Sequence, residues 1–199
     1  MSNNIIMNEN PSETKILMAD ALKRLIKDRP FTKITVQDIV AECNINRNTF
    51  YYHFENNYDL LYFAYEQEVQ NIANSFRNAN ATIPQAMDFI LEYIDNNISL
   101  CICAYESLGE QQLKNIFEKD LHDFVRITID FFSNQHSISF SEDFKSFASF
   151  SYTNLLSTQI IWYIKHNSNL DKSIFKDNIQ TFFLTSLKSV LEEAAKKGM

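Results

Sequence analysis

The densest group of side chains able to grip a polyanion lies in "RNTFYYHF", residues 47–54. Arg47 carries a planar fork of donors that matches the acceptor pair on a guanine edge, and Asn48 carries an amide suited to a base edge. Thr49, Tyr51, Tyr52 and His53 add donors of the kind that hold phosphate oxygens. At about 100° per residue on a helix, Phe50 and Phe54 share one face and Arg47 and Tyr51 a second. Asn48 and Tyr52 then form a third line, and Thr49 and His53 a fourth. The two phenylalanines are expected to bury against Ile39, Val40 and Ile45, leaving the polar faces outward. The competing reading, an ordinary core helix, is costly. It would bury an Arg, an Asn, a Thr, a His and two Tyr hydroxyls beside the rings.

The flanking residues supply the elements that must position this face. "TVQD" places Thr35 as an N-cap with Asp38 three residues on, a variant of the capping box, and Val36, Ile39 and Val40 give a short helix its apolar face. The turn "CNIN" follows, and Asn46 can cap the next helix at Arg47. Asn56 or Asn57 can cap a fourth, running from Tyr58 to about Phe76. Before them, Met18, Ala21, Leu22, Leu25 and Ile26 recur at helical spacing until Pro30 stops the run. Two short helices joined by a tight turn, the second rich in contact residues, describe a helix-turn-helix.

At this point "FTKITVQDIVAECNINRNTFYYHFENNYDLL" resembles the N-terminal domain of the TetR family of bacterial transcriptional regulators. The likeness covers roughly residues 12–76. It implies a homodimeric repressor or activator, a repressor in the first instance, whose partners are a double-stranded DNA operator and a second copy of the chain. The family's DNA contacts carry over to Thr35, Arg47, Asn48, Thr49, Tyr51, Tyr52 and His53. The sequence departs from the pattern at two places. Asn44 stands where the family often has the turn glycine, and asparagine tolerates the left-handed conformation better than most residues. Asn57 stands where the family has a phosphate-binding lysine, so any contact there rests on the free amides of a helix N-terminus.

The chain has 199 residues and a formal net charge of −7, with 45% hydrophobic and 14% aromatic residues, enough for a sizeable core. Charge is segregated: residues 1–55 are neutral, so the remainder carries the whole excess. An acidic chain can therefore still present a DNA-binding end. Only two glycines, Gly109 and Gly198, and three prolines are present, which favours long helices and excludes glycine-rich nucleotide-binding loops. The fold class is all-α. A helix-turn-helix domain over 1–58 is joined by a connecting helix, 58–76, to a helical effector-binding and dimerisation domain over 77–199, with "RNANATIP" as the linker. Further helices are expected near 84–105, 110–134, 141–167 and 171–197.

In that body, the resemblance places an effector pocket for a small apolar or aromatic molecule among Phe89, Tyr93, Tyr105, Phe117, Phe124 and Phe131. Simple core packing is the competing reading for each ring. Dimerisation is expected through the last two helices, at Leu155, Trp162, Phe183, Leu187, Val190 and Leu191, as a four-helix bundle. The segments "YIDNN" and "IIWYIKHN" loosely resemble the C-terminal region of regulators of dihydroxyacetone-kinase operons. Control by a partner protein instead of a small ligand is the alternative. Cys101 and Cys103, two apart, point about 200° away from each other on a helix, and His122, His136 and His166 fall at no ligand-like spacing. No metal, cofactor or enzymatic activity is expected. Without a signal peptide or a long apolar run, the chain reads as cytoplasmic and unconnected with a membrane.

Overall fold

A computed structural model describes residues 11–79 and 83–199, and the described residues form helices and turns with no strand. The chain divides into two compact units, one through Gln67 and one from Glu68.

The first unit contains α1 (Pro11–Asp28), α2 (Val36–Cys43), α3 (Arg47–His53) and the beginning of α4 (Asn57–Ala79). Met18, Ala21 and Leu22 of α1 close over Ile39 and Val40 of α2, Phe50 of α3 and Leu60 and Leu61 of α4, all of them buried. A single 3-10 turn, Phe31–Lys33, follows Pro30. The caps explain where the short helices start and stop. Thr35 and Asp38 form a reciprocal capping box at the start of α2. Asn44 ends α2 in the left-handed region at φ 54, ψ 40. The Ile45 N–H reaches back to the Val40 carbonyl at 3.0 Å, as a helix closed by a left-handed residue requires. The Asn46 side chain then accepts from the Thr49 N–H at 2.9 Å and opens α3.

The second unit holds the remainder of α4 with α5 (Ile83–Asn96), α6 (Ile98–Leu108), α7 (Glu110–His136), α8 (Glu142–His166) and α9 (Lys172–Lys196). The helix expected near 84–105 is two helices. The break falls at Asn97, whose side chain donates to the Tyr93 carbonyl at 3.0 Å and so competes with the helical ladder. Gly109, at φ 83, makes the turn from α6 to α7, a conformation most side chains resist. Helices α7 and α8 form a hairpin held on its outside by Lys145–Asp130 at 2.8 Å and by an Arg126–Glu142 pair. The core is built from Leu113, Val125 and Ile129 of α7, Leu156, Ile160 and Ile164 of α8, and Phe183, Leu187 and Leu191 of α9. Of the expected linker, 77–79 finish α4, 80–82 lie outside the described residues, and 83–84 open α5. No helix among the described residues is long and apolar enough to cross a membrane.

Candidate nucleic-acid interface

The α2–turn–α3 unit holds its outward side chains by burying the inward ones. Phe50 is 0% exposed and Phe54 is buried against Phe63, ring centroids 5.5 Å apart, with the Lys15 ammonium 5.6 Å from the Phe54 ring. That anchoring fixes the rotation of α3. Arg47, Asn48, Tyr51 and Tyr52 are consequently exposed, Tyr52 by 78%, while Thr49 and His53 are half-buried. Arg47 lies over the Tyr51 ring at 5.4 Å and donates to its hydroxyl at 3.1 Å. The guanidinium is thus pre-oriented along the helix while its remaining donors face outward. His53 packs edge-on to Tyr52 at 4.8 Å. Partial burial, and secondarily the nearby Lys15 charge, hold its pKa below the ordinary value of 6.5. At neutral pH it is an uncharged imidazole able to donate one hydrogen bond.

Two of the expected contacts stand differently. Thr35 is exposed, but its N–H and its hydroxyl both donate to the same Asp38 oxygen, at 2.8 and 2.6 Å. The threonine therefore has no donor left for phosphate. The Thr35 hydroxyl holds the Asp38 carboxyl below its usual range, with its N–H and Arg29, 3.2 Å away, acting in the same direction. Asn57 is half-buried and its amide donates inward to the Ile34 carbonyl at 2.6 Å. It ties the start of α4 to the segment before α2. Two of the first amides of α4 are also taken: Asn56 accepts from the Tyr58 and Asp59 N–H groups at 2.9 and 3.1 Å. The phosphate contact expected at residue 57 is thus corrected to a structural tie. Sequence reasoning also passed over Gln37 and Lys33, both exposed beside the α2 N-terminus. Lys33 ends the basic stretch "KRLIKDRPFTK", residues 23–33, and Gln37 occupies the second position of α2 just as Asn48 does in α3.

In the second unit the expected pocket rings do not converge. Phe89 and Phe131 are exposed, because each is two residues, about 200°, from the buried Leu91 or Ile129 on its own helix. Phe117 is buried core, Tyr105 is half-buried, and the Tyr93 hydroxyl donates to Glu68 at 2.7 Å. Phe124 alone of the six lines a shallow apolar cleft, with Met87, Ile90, Leu91, Leu121, Leu156, Ile160 and Ile179. Its enclosed part has room for little more than a water molecule.

The expected interface also needs correction. Phe183, Leu187 and Leu191 are buried in this chain's own core, with Phe183 stacked on Phe124 and edge-on to Tyr152. Leu155 is half-buried, and Trp162 and Val190 are exposed, Trp162 stacking on Phe175. The large apolar side chains left to solvent on α8 and α9 are instead led by Phe147, Phe150, Ile174 and Phe182, beside Trp162 and Val190. All three cysteines are buried free thiols, and no group of metal-ligating side chains assembles among the described residues.

The chain is similar to known proteins in sequence at its N-terminal end and in fold over most of its length. Residues 19–62 match the family model described as bacterial regulatory proteins, tetR family. An 84-residue stretch is 29% identical to the dhaKLM operon transcriptional activator DhaS of Lactococcus lactis, covering 42% of this chain and 44% of that protein. The match therefore spans under half the length of that relative. A solved structure of the dihydroxyacetone kinase operon activator DhaS superposes with a TM-score of 0.65 at 20% identity, over 88% of this chain and 96% of that one. The Thermus thermophilus repressor FadR, solved with lauroyl-CoA, superposes with a TM-score of 0.63 at 13% identity, over 85% and 93% of the two chains. These relatives are transcriptional regulators, not enzymes. The likeness of fold extends over most of the chain, and the likeness to the tetR family of bacterial regulatory proteins lies in residues 19–62.

Proposed function

We propose that the chain is a sequence-specific DNA-binding transcriptional regulator that acts as a homodimer, with α3 as its recognition helix in the major groove. The observation that carries this reading is the outward row Arg47, Asn48, Tyr51 and Tyr52 on a helix whose opposite face is locked by Phe50 and Phe54. Arg47 and Asn48 read base edges, while Thr49, Tyr51, Tyr52 and His53 hold the backbone. A dimer would present two such helices to half-sites about one helical turn, roughly 34 Å, apart. The sign of regulation follows from where the operator lies relative to a promoter. Genomic footprinting of the chain and of its Arg47→Ala variant tests the proposal: discrete two-fold sites lost in the variant support it, and uniform or absent protection refutes it.

For the controlling signal, an apolar effector seated between α5, α7, α8 and α9 is the first reading, supported by the cleft around Phe124. Control by a partner protein is the second, favoured by how little of that cleft is enclosed. Lauroyl-CoA, the ligand named for the Thermus thermophilus neighbour, is a suitable first probe. Release of the footprinted operator on its addition, with the dimer intact, supports the first reading. Indifference to it and to other apolar probes, with sensitivity to a co-purifying protein, supports the second.

A further inference from the structure

Helix α5 is bound by polar contacts on two opposite sides. Asp88 and Asp95 are seven residues apart and so lie on one face of it. Asp88 pairs with Lys176 of α9 at 3.1 Å and accepts from Gln180 of the same helix. A single Asp95 oxygen accepts from the Tyr163 hydroxyl at 2.8 Å, the Asn167 amide at 3.0 Å and the Lys172 ammonium at 2.8 Å. These donors come from the end of α8, the turn after it and the start of α9. Tyr93 is two residues from Asp95, hence about 200° away on the helix, and its hydroxyl donates to Glu68 of α4 at 2.7 Å.

We infer that α5 is a coupling strut, through which a change at the α8–α9 corner reaches α4 by way of the Tyr93–Glu68 hydrogen bond. The chemistry makes both ends of the strut specific. Asp95 sits at the C-terminal end of α5, where a negative charge is disfavoured by the helix dipole, so it depends on its three donors. Release of Lys172 or Tyr163 removes that compensation and frees the end of the helix to shift. At the other end, the phenol is substantially buried, and burial together with the Glu68 carboxylate keeps it protonated. It therefore stays a donor whenever the helices are in register, and the bond breaks as a unit when they are not. Helix α4 runs unbroken from Glu68 back to Asn57 in the first unit. What a displacement of its second half does to DNA binding rests on the proposed function; the coupling within the second unit does not.

Hydrogen–deuterium exchange on the full chain tests the coupling in a cycle of D95N, Y93F and the double variant. With Tyr93 present, D95N should speed exchange of the α4 amides at 68–79 roughly fivefold, the weight of one lost intramolecular hydrogen bond. In the Y93F background it should loosen α9 but add nothing in α4. K172Q, at an exposed position, gives the same readout should D95N fold poorly. Unchanged α4 exchange in D95N and K172Q, or the same acceleration with and without the Tyr93 hydroxyl, overturns the inference. Absence of DNA binding by the unaltered chain would remove the regulator reading and leave the exchange result standing.

Discussion

At the scale of single residues, the outward face of α3 divides into side chains that specify and side chains that hold. Arg47 is pre-oriented by Tyr51, so Arg47→Ala should cost about 1–3 kcal/mol of operator affinity and relax the preference at one position per half-site. Binding titrations against single-base operator variants measure both effects. Tyr52→Phe removes only a hydroxyl from an exposed ring and should weaken all sequences alike, since backbone contacts carry no sequence information. His53 adds a pH dependence whose sign follows from its surroundings. In the free chain its pKa is depressed below 6.5; a phosphate beside it would favour the charged form, so binding would take up a proton. Operator affinity should therefore rise as the pH falls below 6.5, and the rise should vanish in His53→Gln. A profile unchanged by that substitution would place His53 away from phosphate. Residue 57 carries the opposite lesson. Its type and its position before a helix suggested an anion contact, but its amide partner, the Ile34 carbonyl, lies 23 positions back in the chain. A bond to a distant backbone oxygen leaves no mark in local spacing.

At the scale of elements, legibility followed how local the determining interaction is. The capping box of Thr35 and Asp38, the cap at Asn46 and the left-handed turn at Asn44 each depend on residues within four positions, and all are present. Asn44 gives a direct test of this logic. Asn44→Gly should leave thermal stability unchanged or slightly raised, because glycine takes φ 54 without strain. Asn44→Val should lower stability by about 1–2 kcal/mol, since a branched side chain at that angle meets its own backbone. Thermal melts of the two variants read the difference; equal melts would mean the turn is not held in that conformation. Longer elements were read less well. The break at Asn97 was missed because apolar residues continue at helical spacing on both sides of it. Helix α8 is the clearest failure. Tyr152, Leu156, Ile160 and Tyr163 are buried while Phe147, Phe150 and Trp162 are exposed on the same helix. A helix that is apolar all round has no period to say which face is the chain's own core.

At the scale of the whole molecule, that same ambiguity decides where a second copy would dock. Large apolar side chains left to solvent mark interaction surfaces where they gather into a patch, and Phe147 is 70% and Phe150 62% exposed on α8, while Phe182 is 54% exposed on α9. The neighbouring Phe183 is 0% exposed, one position round the helix. The pair Phe182 and Phe183 therefore separates association from folding. Phe147→Glu with Phe182→Glu should leave the chain folded and monomeric, because each carboxylate is solvated in the monomer and would be buried without a partner in the dimer. Phe183→Glu should instead unfold the second unit, since there the charge has no solvent in either state. Circular dichroism and sedimentation equilibrium, run on both variants, give the two readings. A folded dimer in the first variant would place the interface off this face. A folded chain in the second would mean that Phe183 is not in the core. If the first variant is monomeric as expected, its operator affinity should fall by far more than that of Arg47→Ala. Each recognition helix would then bind its half-site alone, without the effective concentration that a linked second site provides.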